Sequence, residues 1–217
     1  MAASAAAPSP RAGAPAGAGT GAREKLLEAA AALIIENQSI EISLADIAGK
    51  AGLNSALVKY YFGSKMGLLV ALLQRDAARA LAVMNELLHM KVPAAQKMRL
   101  HLRGIMNTYR RSPYLNQLLH EMLRVPDGKV RAEVHRMLVQ PVFECQRHIL
   151  DEGAASGEFR RVDHRLFYLS AVGACDQFMQ TESVLLLEQD GIKLDAFRDA
   201  YVSHVIEMVM ASLSVAR

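Results

Sequence analysis

Ser43-Leu-Ala-Asp-Ile-Ala-Gly-Lys-Ala-Gly-Leu-Asn-Ser-Ala-Leu-Val-Lys-Tyr-Tyr-Phe62, followed by Gly-Ser-Lys65, decides how the rest of this 217-residue chain is read. Ser43 precedes a short run in which Leu44, Ile47 and Ala48 fall on one helical face, and its hydroxyl can cap that helix. Gly52 then accepts the positive φ of a tight turn. Asn54 can cap a second short helix over about 55–62, with Val58 aimed back into the angle between the two. A small residue for close approach, a turn glycine and an apolar plug, in that order, predict a helix-turn-helix. That geometry lays the second helix in the DNA major groove.

Helical spacing sorts the side chains of the second helix. Val58, Tyr61 and Phe62 point inward; Ser55, Ala56, Lys59 and Tyr60 point outward; Leu57 lies on the boundary, within reach of a thymine methyl. Lys59 suits a phosphate or a guanine edge, and Tyr60 a phosphate or sugar. Ser43 and Lys65 are expected at helix N-termini, where backbone N–H groups favour phosphate. The net charge is only +3, yet no acid occurs between Ile47 and Arg75, while Lys50, Lys59, Lys65 and Arg75 do. A small positive face fits a specific dimeric reader better than a nonspecific coating protein.

With Arg23-Glu-Lys-Leu-Leu-Glu-Ala-Ala30 upstream, and with Tyr61-Phe62-Gly-Ser-Lys65 and Leu68-Leu69 downstream, the chain resembles the tetracycline-repressor (TetR) family of transcriptional regulators. The resemblance covers roughly residues 22–73. It implies an all-α fold, with an N-terminal three-helix DNA-binding domain and a C-terminal helical domain for effector binding and dimerisation. It also implies a regulator, commonly a repressor, that binds a palindromic operator in double-stranded DNA and is released by a small molecule. A DNA-binding dimer controlled by a protein partner, or by no effector at all, is the alternative. Ala56 and Leu57 stand where the family often has glycine and threonine, and Lys59 where it often has tyrosine. The operator sequence is therefore not carried over.

The expected domains are a disordered arm over 1–21, rich in Ala, Gly and Pro, the DNA-binding unit over 22–68, and the effector and dimerisation body over 69–217. Further helices are expected near 22–37, 65–88, 93–111, 114–123, 130–155 with a kink or break at Pro141, 164–187 and 195–213. Two cysteines, Cys145 and Cys175, argue against a disulfide framework and for a cytoplasmic protein. No apolar run approaches the ~20 residues of a membrane span. Gly17-Ala-Gly-Thr-Gly21 follows no strand and is not a nucleotide loop.

The last two helices are the expected dimer interface, through Phe167, Ala171, Ala174, Cys175 and Met179 on one and Val202, Val205, Ile206, Val209 and Met210 on the other. The resemblance places an effector between the helices starting at Lys65 and His164, with Met106, Tyr109, Tyr114, Leu118, Met122, Phe143 and Phe178 as candidate lining. Cys145 and His148, spaced i, i+3, lack a second ligand pair, so no metal is expected. No serine elbow, zinc-protease helix or phosphate-cradling loop is present, so neither catalysis nor a cofactor is expected.

Overall fold

In the computed structural model, residues 16–181 and 191–215 are described; most of the predicted arm (1–15) and the end of the predicted 164–187 helix lie outside them. Every regular element among the described residues is helical. The helices are α1 (Ala16–Asn37), α2 (Leu44–Ala51), α3 (Ser55–Phe62), α4 (Lys65–His89), α5 (Ala94–Arg111) and α6 (Tyr114–Arg124). They continue with α7 (Gly128–Val134), a π-turn (His135–Val139), α8 (Gln140–Ser156), α9 (His164–Thr181) and α10 (Leu194–Leu213). Helix α1 starts at Ala16 rather than near residue 22, so the expected arm already turns helical over its last residues.

The first three helices form a small unit around buried Leu26, Leu27 and Ile34 of α1, Ile47 and Ala48 of α2, and Val58 of α3. Ser43 and Asp46 make a reciprocal capping box on α2, with Asp46 N–H donating to Ser43 Oγ at 3.0 Å. Gly52 closes that helix at φ 66°, and Asn54 caps α3 by accepting from Ala56 N–H at 2.8 Å. The axes of α3 and α4 then differ by 66°. The bend is tight: a Cβ added to Gly67 would stand 2.1 Å from the Phe62 carbonyl oxygen.

Helix α4 carries the chain into the body. Its residues Leu68 through Leu73 are consecutively buried, so this stretch is covered on all sides. It packs on α1 and α3 at its start and on α5, α6 and α8 further along. Pro93 leaves α5 without a side-chain cap, and Glu158, distant in sequence, supplies one by accepting from Ala94 and Ala95 N–H at 3.1 and 3.0 Å. Those backbone donors hold the Glu158 carboxyl below its usual pKa against a smaller opposing effect of desolvation. Buried Lys97 ties α5 to Glu152 of α8 at 2.8 Å and to the Leu88 carbonyl at 3.1 Å. The expected kink at Pro141 is a π-turn. Pro141 has no N–H to give to the preceding turn, and Gln140 N–H bonds His135 O, five residues back.

Helices α9 and α10 close the body over α5. Phe178 stacks with Tyr201 and Phe197 at centroid distances of 4.7 and 6.1 Å, and Tyr201 donates to the Ala174 carbonyl at 2.7 Å. At the α5–α8 contact His101 is fully buried, its Nδ1 3.7 Å from Cys145 Sγ. Burial lowers the His101 pKa from 6.5 to about 4.

Two outcomes follow. Gly67→Ala should destabilise the protein by about 1–3 kcal/mol in urea unfolding, because a methyl is forced onto backbone rather than a flexible side chain. His101 should make folding acid-sensitive. The unfolded chain takes a proton below pH 6.5 that the folded chain refuses until about pH 4. Stability is therefore whole above that window and falls through it by up to about 3 kcal/mol. His101→Leu should flatten the pH dependence of the urea midpoint between these values.

Candidate nucleic-acid interface and effector cleft

Helix α3 presents one face to solvent. Ser55, Ala56, Lys59 and Tyr60 are exposed, Tyr60 by 77%, while Val58 is fully buried beneath them. Leu57, Tyr61 and Phe62 are half-buried against the core. The exposed face is apolar-poor and carries no acid, and Lys59 makes no ion pair among the described residues. Tyr60 rests edge-on against Tyr61 at 5.0 Å, which limits its swing. Arg23 of α1 lies over the Phe62 ring at 5.2 Å and adds a cation beside the end of α3.

The other expected contacts are differently placed. Ser43 Oγ donates to Asp46 Oδ2 at 2.6 Å, so its hydroxyl is engaged and a carboxylate already fills the N-terminus of α2. Lys65 is at the start of α4, where Ser64 caps by accepting from Gly67 N–H at 3.0 Å, but its ammonium is 3.4 Å from Glu41. Lys50 is held by Glu36 at 2.7 Å. Arg75, counted with the basic stretch by sequence, turns inward and does not join this face.

Arg75 sits at the junction between the DNA-binding unit and the body. Its guanidinium donates to Glu24 of α1 at 2.7 Å, to neighbouring Asp76 at 3.1 Å and to the Tyr114 hydroxyl of α6 at 3.2 Å. Tyr114 in turn donates to Asp76, which is buried. Burial works against the charge on Arg75, but its bonds to Glu24 and Asp76 outweigh that and raise its pKa. Burial and the Asp76 carboxylate push the Tyr114 phenol up to about 12, so it stays a donor. Sequence spacing could not find this network, because its members are far apart along the chain.

A second polar cluster joins α5, α6 and α9. Asp176 of α9 accepts from the Tyr109 hydroxyl and from Asn116 Nδ2 at 3.0 Å, and His120 Nε2 is 3.5 Å away. Desolvation raises the pKa of Asp176 despite these donors, and desolvation with the Asp176 charge raises that of Tyr109.

Between the two clusters opens a cleft of about 320 Å³, walled by α1, α5, α6, α9 and α10. Four of the expected effector residues, Met106, Tyr109, Tyr114 and Phe178, line it. Leu118 and Met122 are instead buried in the core, and Phe143 packs edge-on to Tyr168 at 5.6 Å. No residue of α4 lines the cleft; Ile34, Ile35 and Gln38, from α1 and the residue after it, take that side.

The residues expected at a dimer interface divide by burial. Phe167, Ala171, Cys175, Val205, Ile206 and Val209 are buried within this chain, where they pack α9 and α10 onto the body. Ala174, Met179, Val202 and Met210 are half-buried against the same core. The apolar side chains left outside are Leu166 and Leu169 of α9, exposed by 68% and 67%, and Met208 of α10. Cys145 is buried beside His101 and His148 is exposed, so the pair does not converge. No single helix among the described residues is long and apolar enough to cross a membrane.

Comparison with known proteins agrees with this architecture. Residues 26–72 match the model of bacterial regulatory proteins of the tetR family, and residues 91–216 match the tetracyclin repressor-like C-terminal domain. No curated protein matches significantly. Among solved structures, the chain is similar to the transcriptional regulator FadR from Bacillus subtilis in complex with stearoyl-CoA. Identity is 21%, the TM-score is 0.70, and 88% of this chain and 98% of that one are covered. It is also similar to the TetR-family regulator PfmR from Thermus thermophilus, at 19% identity and TM-score 0.68, covering 88% and 99%. A TetR/AcrR-family regulator from Thermobifida fusca is 20% identical with TM-score 0.65, covering 85% and 96%. The capped, glycine-turned helix pair and the helical body it leads into belong to one chain of the TetR family, a DNA-binding transcriptional regulator.

Proposed function

We propose that this protein is a homodimeric repressor that binds a palindromic operator and is released from it by a small-molecule effector. The observation that carries the DNA-binding part is the α3 face. Four adjacent exposed residues, free of acid, stand on a helix rooted by a fully buried valine. Ser55 and Ala56 are short enough to let the backbone approach base edges. Lys59 and Tyr60 extend from the same side toward phosphate or guanine.

Dimerisation supplies what one short helix lacks. Two recognition helices about 34–36 Å apart read successive major grooves, and C2 symmetry in the protein matches a palindrome. Leu166, Leu169 and Gly173 follow i, i+3, i+7 spacing along the outer face of α9, with Met208 on neighbouring α10. Two such faces pack as a four-helix bundle that buries side chains otherwise held in water. The cleft supports effector control, because it is bordered by the DNA-binding unit as well as the body. The Bacillus subtilis FadR structure holds stearoyl-CoA, which supports a ligand-responsive reading of this fold. An effector releases DNA only by binding the two states unequally.

Selection of genomic fragments by the purified protein tests the reading, with a bound palindrome expected. Lys59→Ala and Tyr60→Ala should each weaken binding to that fragment about tenfold or more in a mobility-shift titration, with the dimer intact by light scattering. Unchanged affinity in both variants rejects this reading face. Leu169→Glu should shift the protein from dimer to monomer, measured by sedimentation at micromolar concentration, since a desolvated carboxylate at the pair's centre is costly. A dimer that persists unchanged points to another interface.

A further inference from the structure

The effector cleft is walled by two tyrosines whose hydroxyls leave it in different directions. Tyr109 reaches Asp176 on α9, and Tyr114 reaches Asp76 on α4. Through Arg75 and Glu24, the Tyr114 hydroxyl also belongs to the network that holds α1 to α4 and α6. A molecule in the cleft therefore lies against a ring whose far end is part of the junction with the DNA-binding unit.

The chemistry of the walls selects the class of molecule. Ile34, Met106, Phe178 and Val202 give the cleft an apolar wall, alongside polar lining that includes Gln38, Asn107 and Gln117. At its rim, exposed Arg110 makes no hydrogen bond or ion pair among the described residues. Arg198, also at the rim, bonds Asp195 at 3.2 Å, and Asp199 is the acid among the lining residues. A guanidinium with no partner among the described residues, beside a partly apolar wall, favours a carboxylate or similar anion, which it can meet with two parallel hydrogen bonds.

We propose that this cleft binds an organic anion with an apolar body, its charge met by Arg110, and that the Tyr114 hydroxyl transmits occupancy to α1 and α4. The inference rests on the reading of the protein as an effector-controlled DNA-binding regulator. Transmission follows from geometry. Hydrogen bonds weaken steeply with misalignment, so a small displacement of the Tyr114 ring loosens its bonds to Asp76 and Arg75 together. The pair Arg75–Glu24 then no longer has α6 as a third support.

Three probes of equal chain length test the charge: decanoate, decanol and decylamine, each displacing the fluorescent aromatic anion 1-anilinonaphthalene-8-sulfonate from the full protein. Decanoate is expected to compete about tenfold better than the other two, the worth of a charge-assisted hydrogen bond. Arg110→Gln should remove that preference and leave decanol unchanged. Tyr114→Phe, which deletes the bonds that occupancy loosens, should weaken binding to a selected DNA fragment without decanoate and leave little further decanoate-induced release. Equal competition by the three probes, a preference that survives Arg110→Gln, or wild-type release by Tyr114→Phe overturns the inference. If no DNA fragment is selected, the functional reading itself fails. If DNA binds but decanoate neither displaces the dye nor releases DNA, only this inference fails.

Discussion

The structure depends on the stretch Leu68–Leu73 of α4, whose six residues are all buried. A helix buried all round has no free face along which to slide, so its position is fixed by all its neighbours at once. Those neighbours include α1 and α3 of the DNA-binding unit and α5, α6 and α8 of the body. Any repositioning of the body is therefore felt by the helices that carry the reading face. Gly67 sharpens this constraint, because the backbones of α3 and α4 meet where even a methyl has no room.

Polar groups sit where this packing needs direction. The apolar contacts around Leu68–Leu73 are themselves non-directional. The Glu24–Arg75–Asp76–Tyr114 network is directional, since each bond has a preferred angle and its members come from α1, α4 and α6. The second cluster, around Asp176, fixes α5 and α6 against α9 in the same way. Apolar burial supplies cohesion, and the two networks supply register. The cleft is lined by Tyr109 and Tyr114, one from each network, so it borders directional contacts on both sides.

Solvent-facing residues and those that hold the fold are separated within a single two-turn helix. Val58 and its half-buried neighbours root α3, and Ser55, Ala56, Lys59 and Tyr60 stand exposed on the other side. Changes at Ser55, Ala56 or Lys59 therefore cost the fold little, because these side chains are exposed. Ser43 serves the fold as sequence predicts, its hydroxyl engaged with Asp46 in the helix cap.

Local chemistry made much of this legible from sequence. Ser43, Gly52 and Asn54 act on backbone groups two to four residues away, so their roles depend on neighbours already visible in the chain. The same holds for Pro141 and for the outward set on α3, where helical spacing alone assigns faces. What sequence could not decide were choices between partners distant along the chain. An apolar stripe such as Val205, Ile206 and Val209 looks alike whether it meets its own core or a second subunit, and burial on folding rather than periodicity tells them apart. Likewise Arg75 is one more cation in a basic stretch until α1 and α6 close around it. Only the tertiary structure brings Glu24, Asp76 and Tyr114 within bonding distance, because that proximity depends on helix packing rather than on helix formation.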